Sequence, residues 1–125
     1  MNDQRIKVLL VDDDEDYWVI TRSLLAESKD VHYELDWIAA YDAALETIKL
    51  NKHDIYLLDY RIGSHTGLDL LSMALENGCK APFIMLTGQG DRKTDVKAMQ
   101  MGAADYLSKD KIDAALLDRS VRYAI

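Results

Sequence analysis

The sequence predicts an α/β domain in which a parallel sheet is covered by helices on both faces. Short apolar runs of strand length alternate along the whole chain with amphipathic stretches of helical period. Several of those runs, Val8-Leu9-Leu10-Val11, Ile55-Tyr56-Leu57-Leu58 and Phe83-Ile84-Met85-Leu86, are apolar at every position. Strands buried on both faces read this way, whereas strands with one wet face alternate. At 125 residues the chain has room for one ordinary domain, and no repeat, low-complexity tract or linker divides it.

Taken in order, Ile6 to Val11 reads as the first strand, followed by a helix from about Asp14 with Tyr17, Ile20 and Leu24 on one face. Tyr33 to Ile38 is the second strand, where Leu35, Trp37 and Ala39 alternate with Glu34 and Asp36. Its helix carries Tyr41, Ala44, Leu45 and Ile48. Ile55 to Leu58 forms the third strand, and Leu68, Leu71 and Leu75 mark a helix that ends before Asn77-Gly78. Phe83 to Leu86, entered after Pro82, is the fourth strand. Asp91 is suited to cap the next helix, which carries Val96 and Met99 and stops at Gly102, a favourable residue just past a helix end. Ala104 to Ser108 is a short fifth strand, and Ile112 to Ile125 a last helix with Leu117, Val121 and Ala124.

Composition narrows the function. No apolar run approaches the ~18 residues of a membrane span, and Met1 to Arg5 lead straight into a strand, so neither a membrane partner nor a secretory signal is expected. Cys79 is the only cysteine, which excludes an internal disulfide and a cysteine-based zinc site and suits a cytoplasmic, reducing home. With 15 Lys+Arg against 22 Asp+Glu, the net charge of −7 argues against direct nucleic-acid binding. His32, His53 and His65 make no ligand set, and Met99 and Met101 read as packing.

In an open parallel sheet the functional crevice lies beyond the carboxyl ends of the strands. Here those ends carry Asp12-Asp13-Asp14-Glu15-Asp16, Asp59, Thr87-Gly88 and Ser108-Lys109. Asp14, Glu15 and Asp16 suit a helix N-terminus, where carboxylates meet free amides and the helix dipole. Asp12, Asp13 and Asp59 have no such explanation. Carboxylates ~5 Å apart at an effective dielectric of ~20 repel by about 3 kcal/mol per pair. A divalent cation or a lysine must offset this. Hard oxygen ligands with room for water favour Mg2+, and Lys109 supplies a further positive charge. Such a set is equipment for phosphoryl transfer, with one carboxylate free to act as nucleophile and form an acyl phosphate.

Val11-Asp12-Asp13, Leu58-Asp59, Leu86-Thr87-Gly88 and Tyr106-Leu107-Ser108-Lys109 resemble, in order and over essentially the whole chain, the four signatures of the receiver domain of two-component response regulators. Gly67 also follows Asp59 as in that family's post-strand loop. The resemblance implies a doubly wound (βα)5 flavodoxin-like fold with its five strands in the order 2-1-3-4-5. It implies that Asp59 accepts a phosphoryl group from a sensor histidine kinase or phosphotransfer protein. It assigns Asp12, Asp13, Asp59 and the backbone carbonyl of Arg61 to Mg2+, Lys109 and Thr87 to the phosphoryl group, and Thr87 with Tyr106 to a switch. Arg61 and Gln89 match positions that tune phosphorylation and dephosphorylation rates. Such a domain is a phosphoacceptor module rather than an enzyme with turnover. Output through a fused module or a homodimer is implied at the face of the fourth helix, fifth strand and fifth helix. The Lys-Asp junction and the Arg122-Tyr123-Ala124-Ile125 ending resemble receivers fused ahead of other modules, so residues 1–125 read as a receiver cut from a longer chain.

Two departures alter the loops. Asp110 replaces the usual proline after the lysine, so the Lys109–Asp110 bond is expected to be trans, the cis form costing ~3 kcal/mol without proline. Gly63 replaces a second proline and should loosen the loop after Asp59. Three rival readings are weaker. A haloacid dehalogenase-type phosphatase would use Asp12-Asp13-Asp14 and Gly90 to Asp95, but its lysine should precede the latter motif and Asp59 would have no role. A flavodoxin-like nucleotide binder needs a glycine- and hydroxyl-rich first loop, and Asp12 to Asp16 would repel phosphate. A receiver that works without phosphorylation does not require the signature positions, all of which are intact.

Overall fold

A computed structural model describes residues 4–88 and 92–125. The elements run β1 (Gln4–Val11), α1 (Glu15–Ala26), β2 (Val31–Ile38), α2 (Tyr41–Lys49), β3 (Ile55–Asp59), β4 (Arg61–Ile62), β5 (His65–Thr66), α3 (Gly67–Glu76), β6 (Phe83–Thr87), α4 (Arg92–Met101), β7 (Asp105–Ser108) and α5 (Ala114–Ala124). Five strands form one sheet in the order β2-β1-β3-β6-β7, and every pairing in it is parallel. This is the expected 2-1-3-4-5 order. Between β3 and α3, β4 and β5 form a two-stranded antiparallel hairpin that is not among the elements the sequence predicts. No described helix is long and apolar enough to cross a membrane.

The period-two geometry of a strand divides the core in two. Leu9, Val11, Tyr56, Leu58, Phe83 and Met85 point to the face covered by α2, α3 and α4. Val8, Leu10, Ile55, Leu57, Ile84 and Leu86 point to the face covered by α1 and α5. Each central strand is therefore apolar throughout because consecutive residues enter different cores.

Two helix faces differ from expectation. On α1, Tyr17, Thr21 and Leu25 are buried, whereas Ile20 is 46% exposed. Tyr17 to Ile20 present four bulky residues in succession, and each step turns about 100° around the axis. Only one stripe can meet the sheet, and it is the i, i+4, i+8 row that includes Thr21. On α4, Thr94 and Ala98 are buried, and Val96 and Met99 are 47% and 43% exposed. The small Ala98, rather than the larger side chains, seats that helix. The expected Asp91 cap lies outside the described residues. Gly102, at φ +115°, ends α4 in the left-handed conformation that glycine adopts without strain. Asp113 caps α5 by accepting from the Leu116 amide at 2.8 Å.

Candidate functional site

The carboxyl ends of β1, β3, β6 and β7 converge. Asp12 follows β1 and is fully buried. One of its carboxylate oxygens accepts from the Asp14 amide at 2.9 Å, and the other accepts from Lys109 Nζ at 2.7 Å. Its main-chain carbonyl accepts from Trp37 Nε1 at 2.6 Å, which ties the edge strand β2 to the site. Trp37 in turn stacks on Trp18 of α1, with ring centroids 5.0 Å apart. Asp13 is exposed, and its Oδ2 accepts from the Gly63 amide of the hairpin at 3.1 Å. Asp14 caps α1 by accepting from the Asp16 amide, as its place in the acidic run suggested.

Asp59 ends β3 with its side chain 13% exposed, and its Oδ1 lies 3.0 Å from Lys109 Nζ. Ligand oxygens of Asp12, Asp13 and Asp59 lie within 4.8 Å of one another. Gly67 holds this corner closed. Its amide donates to the Tyr60 carbonyl at 2.6 Å, and any side chain there would collide with the Asp59 carbonyl oxygen.

Lys109 reaches the site without proline. Its amide donates to the Thr87 carbonyl at 2.9 Å, and a turn closes where the Lys111 amide donates to the Ser108 carbonyl at 3.1 Å. The Lys109–Asp110 bond is trans, as expected. The ammonium also lies over the Tyr17 ring, 4.3 Å from its centroid. The helical period of α1 predicts Tyr17 on its apolar face but gives no sign of this contact.

Three carboxylates and one ammonium leave a formal charge of −2 (three negative, one positive) in a half-buried recess. Burial and the Asp12 charge push the Asp59 carboxyl up to about 6, against the downward pull of Lys109. Burial acts to lower the Lys109 pKa, but its bonds to Asp12 and Asp59 outweigh that and raise it. The Tyr17 phenol is raised by burial and by the charges of Asp12, Asp59 and Asp110, so it stays neutral. An all-oxygen donor set in a recess of net charge −2 fits a hard divalent cation.

The remaining expected residues stand as follows. Thr87 ends β6, 1% exposed, and its hydroxyl donates to Asp95 Oδ1 of α4 at 2.8 Å. That acceptor was not foreseen. Tyr106 on β7 is 42% exposed. Arg61 opens β4 with an exposed side chain. Gln89 lies outside the described residues. The residues set aside have ordinary partners: His53 Nε2 pairs with Asp36 at 2.7 Å, His65 stacks on Tyr41 at 4.0 Å, and Cys79 is buried.

Comparison with known proteins agrees with this geometry. Residues 8–121 match the response regulator receiver domain. The chain is 35% identical over 114 residues to the transcriptional regulatory protein CpxR of Escherichia coli, covering 90% of this chain and 47% of CpxR. It is 28% identical over 116 residues to the response regulator RppA of Synechocystis, covering 91% and 48%. It thus spans about half the length of the curated relatives it matches. Among solved structures, a response regulator receiver domain protein from Clostridium thermocellum superposes with a TM-score of 0.84 at 25% identity, covering 96% of this chain and 94% of that one. With its parallel five-stranded sheet and the acids of Asp12, Asp13 and Asp59 gathered at the strand ends, the chain belongs to the response regulator receiver domain family, the phosphoacceptor modules of two-component signalling.

Proposed function

We infer that Asp59 takes a phosphoryl group from a phosphohistidine on a sensor kinase or phosphotransfer protein, and that Mg2+ is the cation at Asp12, Asp13, Asp59 and the Arg61 carbonyl. The observation that carries this reading is Lys109 Nζ lying within 3.0 Å of Asp59 Oδ1 while also bonded to buried Asp12. Attack by an Asp59 oxygen on phosphorus forms an acyl phosphate as the P–N bond breaks, and the imidazole leaves with the bonding electrons. Mg2+ supplies neutralisation of charge on the phosphoryl oxygens. Lys109 follows the transferred group, donating to an oxygen of it, and Asp12 holds the lysine in reach. Thr87 and Tyr106 serve as the switch pair, and output leaves by the α4–β7–α5 face toward a fused module, a separate partner or a second copy. This role places the domain in the cytoplasm, beside the ATP that supplies the kinase. The decisive experiment incubates the chain with acetyl phosphate and Mg2+ and maps the phosphoryl group by mass spectrometry. A label on any residue but Asp59 overturns the reading.

The cation site makes a separate prediction. Asp13→Ala should weaken Mg2+ binding by roughly tenfold or more, since losing even a supporting group of a metal site costs 10–100-fold. Titration followed by Trp18 and Trp37 fluorescence measures it. An unchanged midpoint would show that Asp13 serves only to anchor the Gly63 amide.

A further inference from the structure

The role proposed for Lys109 raises a difficulty. A divalent cation and the lysine ammonium would share the carboxylates of Asp12 and Asp59, and two positive charges at close quarters repel. The cation is the stronger competitor. Lys109 also lacks a following proline, and a turn of residues 108–111 sets its direction. It needs a partner that no metal can take from it.

We propose that Tyr17 is a positioning residue for the phosphoryl transfer inferred above: its ring face seats the Lys109 ammonium, independently of the carboxylates, where the incoming phosphoryl group must be met. The ring is buried, 6% exposed, with the ammonium 4.3 Å from its centroid. Desolvation strengthens attraction between a cation and an aromatic face. Tyr17 lies in the first turn of α1, whose cap Asp14 also donates its amide to Asp12. The seat and the carboxylate are thus fixed by one rigid helix end. The phenol hydroxyl has no hydrogen-bond partner among the described residues, so the ring, rather than the hydroxyl, makes the useful contact. A hydroxyl buried without a partner is a cost that phenylalanine would avoid.

The test compares the full chain with Tyr17→Phe and Tyr17→Leu. Phosphorylation by acetyl phosphate in saturating Mg2+ gives the maximal rate and the half-saturating donor concentration. Tyr17→Leu should lower the maximal rate by about 3- to 30-fold, the range a desolvated cation–ring contact supports, with little change in half-saturation. Tyr17→Phe should restore it. A second measurement needs no variant. The Lys109 ε-methylene protons should be shifted upfield by the ring in the parent NMR spectrum, and should stay so when Mg2+ saturates the site. The proposal falls if Tyr17→Leu matches the parent rate, if Tyr17→Phe is as slow as Tyr17→Leu, or if Mg2+ abolishes the ring shift. Each of those leaves the role of Asp59 intact. A parent chain that takes no phosphoryl group at Asp59 would overturn that role and, with it, this proposal.

Discussion

Asp59→Asn is expected to abolish phosphoryl uptake and, in metal-free protein, to stabilise the fold at neutral pH. The first effect follows from chemistry, since an amide oxygen is a poor nucleophile and Asp12, the other acid beside Lys109, is fully buried. The second follows from electrostatics. The Asp59 carboxyl lies at about 6 in the folded chain against 3.8 as an ordinary side chain, because burial and Asp12 oppose its charge more than Lys109 favours it. A raised folded value means that the unfolded chain releases this proton first as pH rises. At pH below about 4 the group is protonated in both states and costs nothing. Between about 4 and 6 stability drains away, and above 6 the full penalty, on the order of 2–3 kcal/mol, remains. Asparagine cannot ionise and escapes it. Urea denaturation in chelator at acid and neutral pH measures the difference. The variant should gain on the parent only as pH rises, and Mg2+ should restore the parent. A gain that is equal at both pH values would show that the carboxylate is not held under strain.

How far the sequence led depends on what each feature requires. Strands buried on both faces leave an unmistakable apolar signature, and in a doubly wound sheet their ends must gather, so Asp12, Asp13, Asp59 and Lys109 could be placed together beforehand. The β4–β5 hairpin left no such trace. Two-residue strands have no period to read, and its hold on the site is one bond from the Gly63 amide to Asp13. The faces of α1 and α4 were misjudged because those helices carry more apolar residues than one stripe can bury. The least legible features were side-chain contacts between distant elements. Trp37 on the Asp12 carbonyl, Tyr17 under Lys109 and Asp95 on Thr87 depend on how helices seat against the sheet, which no local pattern encodes.

The last of these contacts bears most on signalling. The buried Thr87 hydroxyl has one proton, and here it goes to Asp95. A phosphoryl group on Asp59 must win that proton to engage the proposed switch. Hydrogen bonds to charged acceptors are worth about 1.5–3 kcal/mol on either side, so the contest is close and the equilibrium movable. Asp95 therefore raises the threshold. In the proposed switch Tyr106 turns inward into the space that Thr87 vacates as it approaches the phosphoryl group, and Asp95→Ala should shift the balance toward that inward position by about 10- to 100-fold, most visibly when the chain is only partly phosphorylated. Tyr106, now 42% exposed, can carry a fluorine label whose NMR signal separates the two positions. Thr87→Ala should still accept phosphate at Asp59 while leaving Tyr106 outside. In that background Asp95→Ala should add nothing, because the bond it removes is already gone. If Asp95→Ala moves Tyr106 equally with and without Thr87, the aspartate acts on α4 itself rather than through the hydroxyl. If it moves Tyr106 in neither, the bond exerts no restraint, and the threshold for switching lies elsewhere in the α4–β7–α5 face.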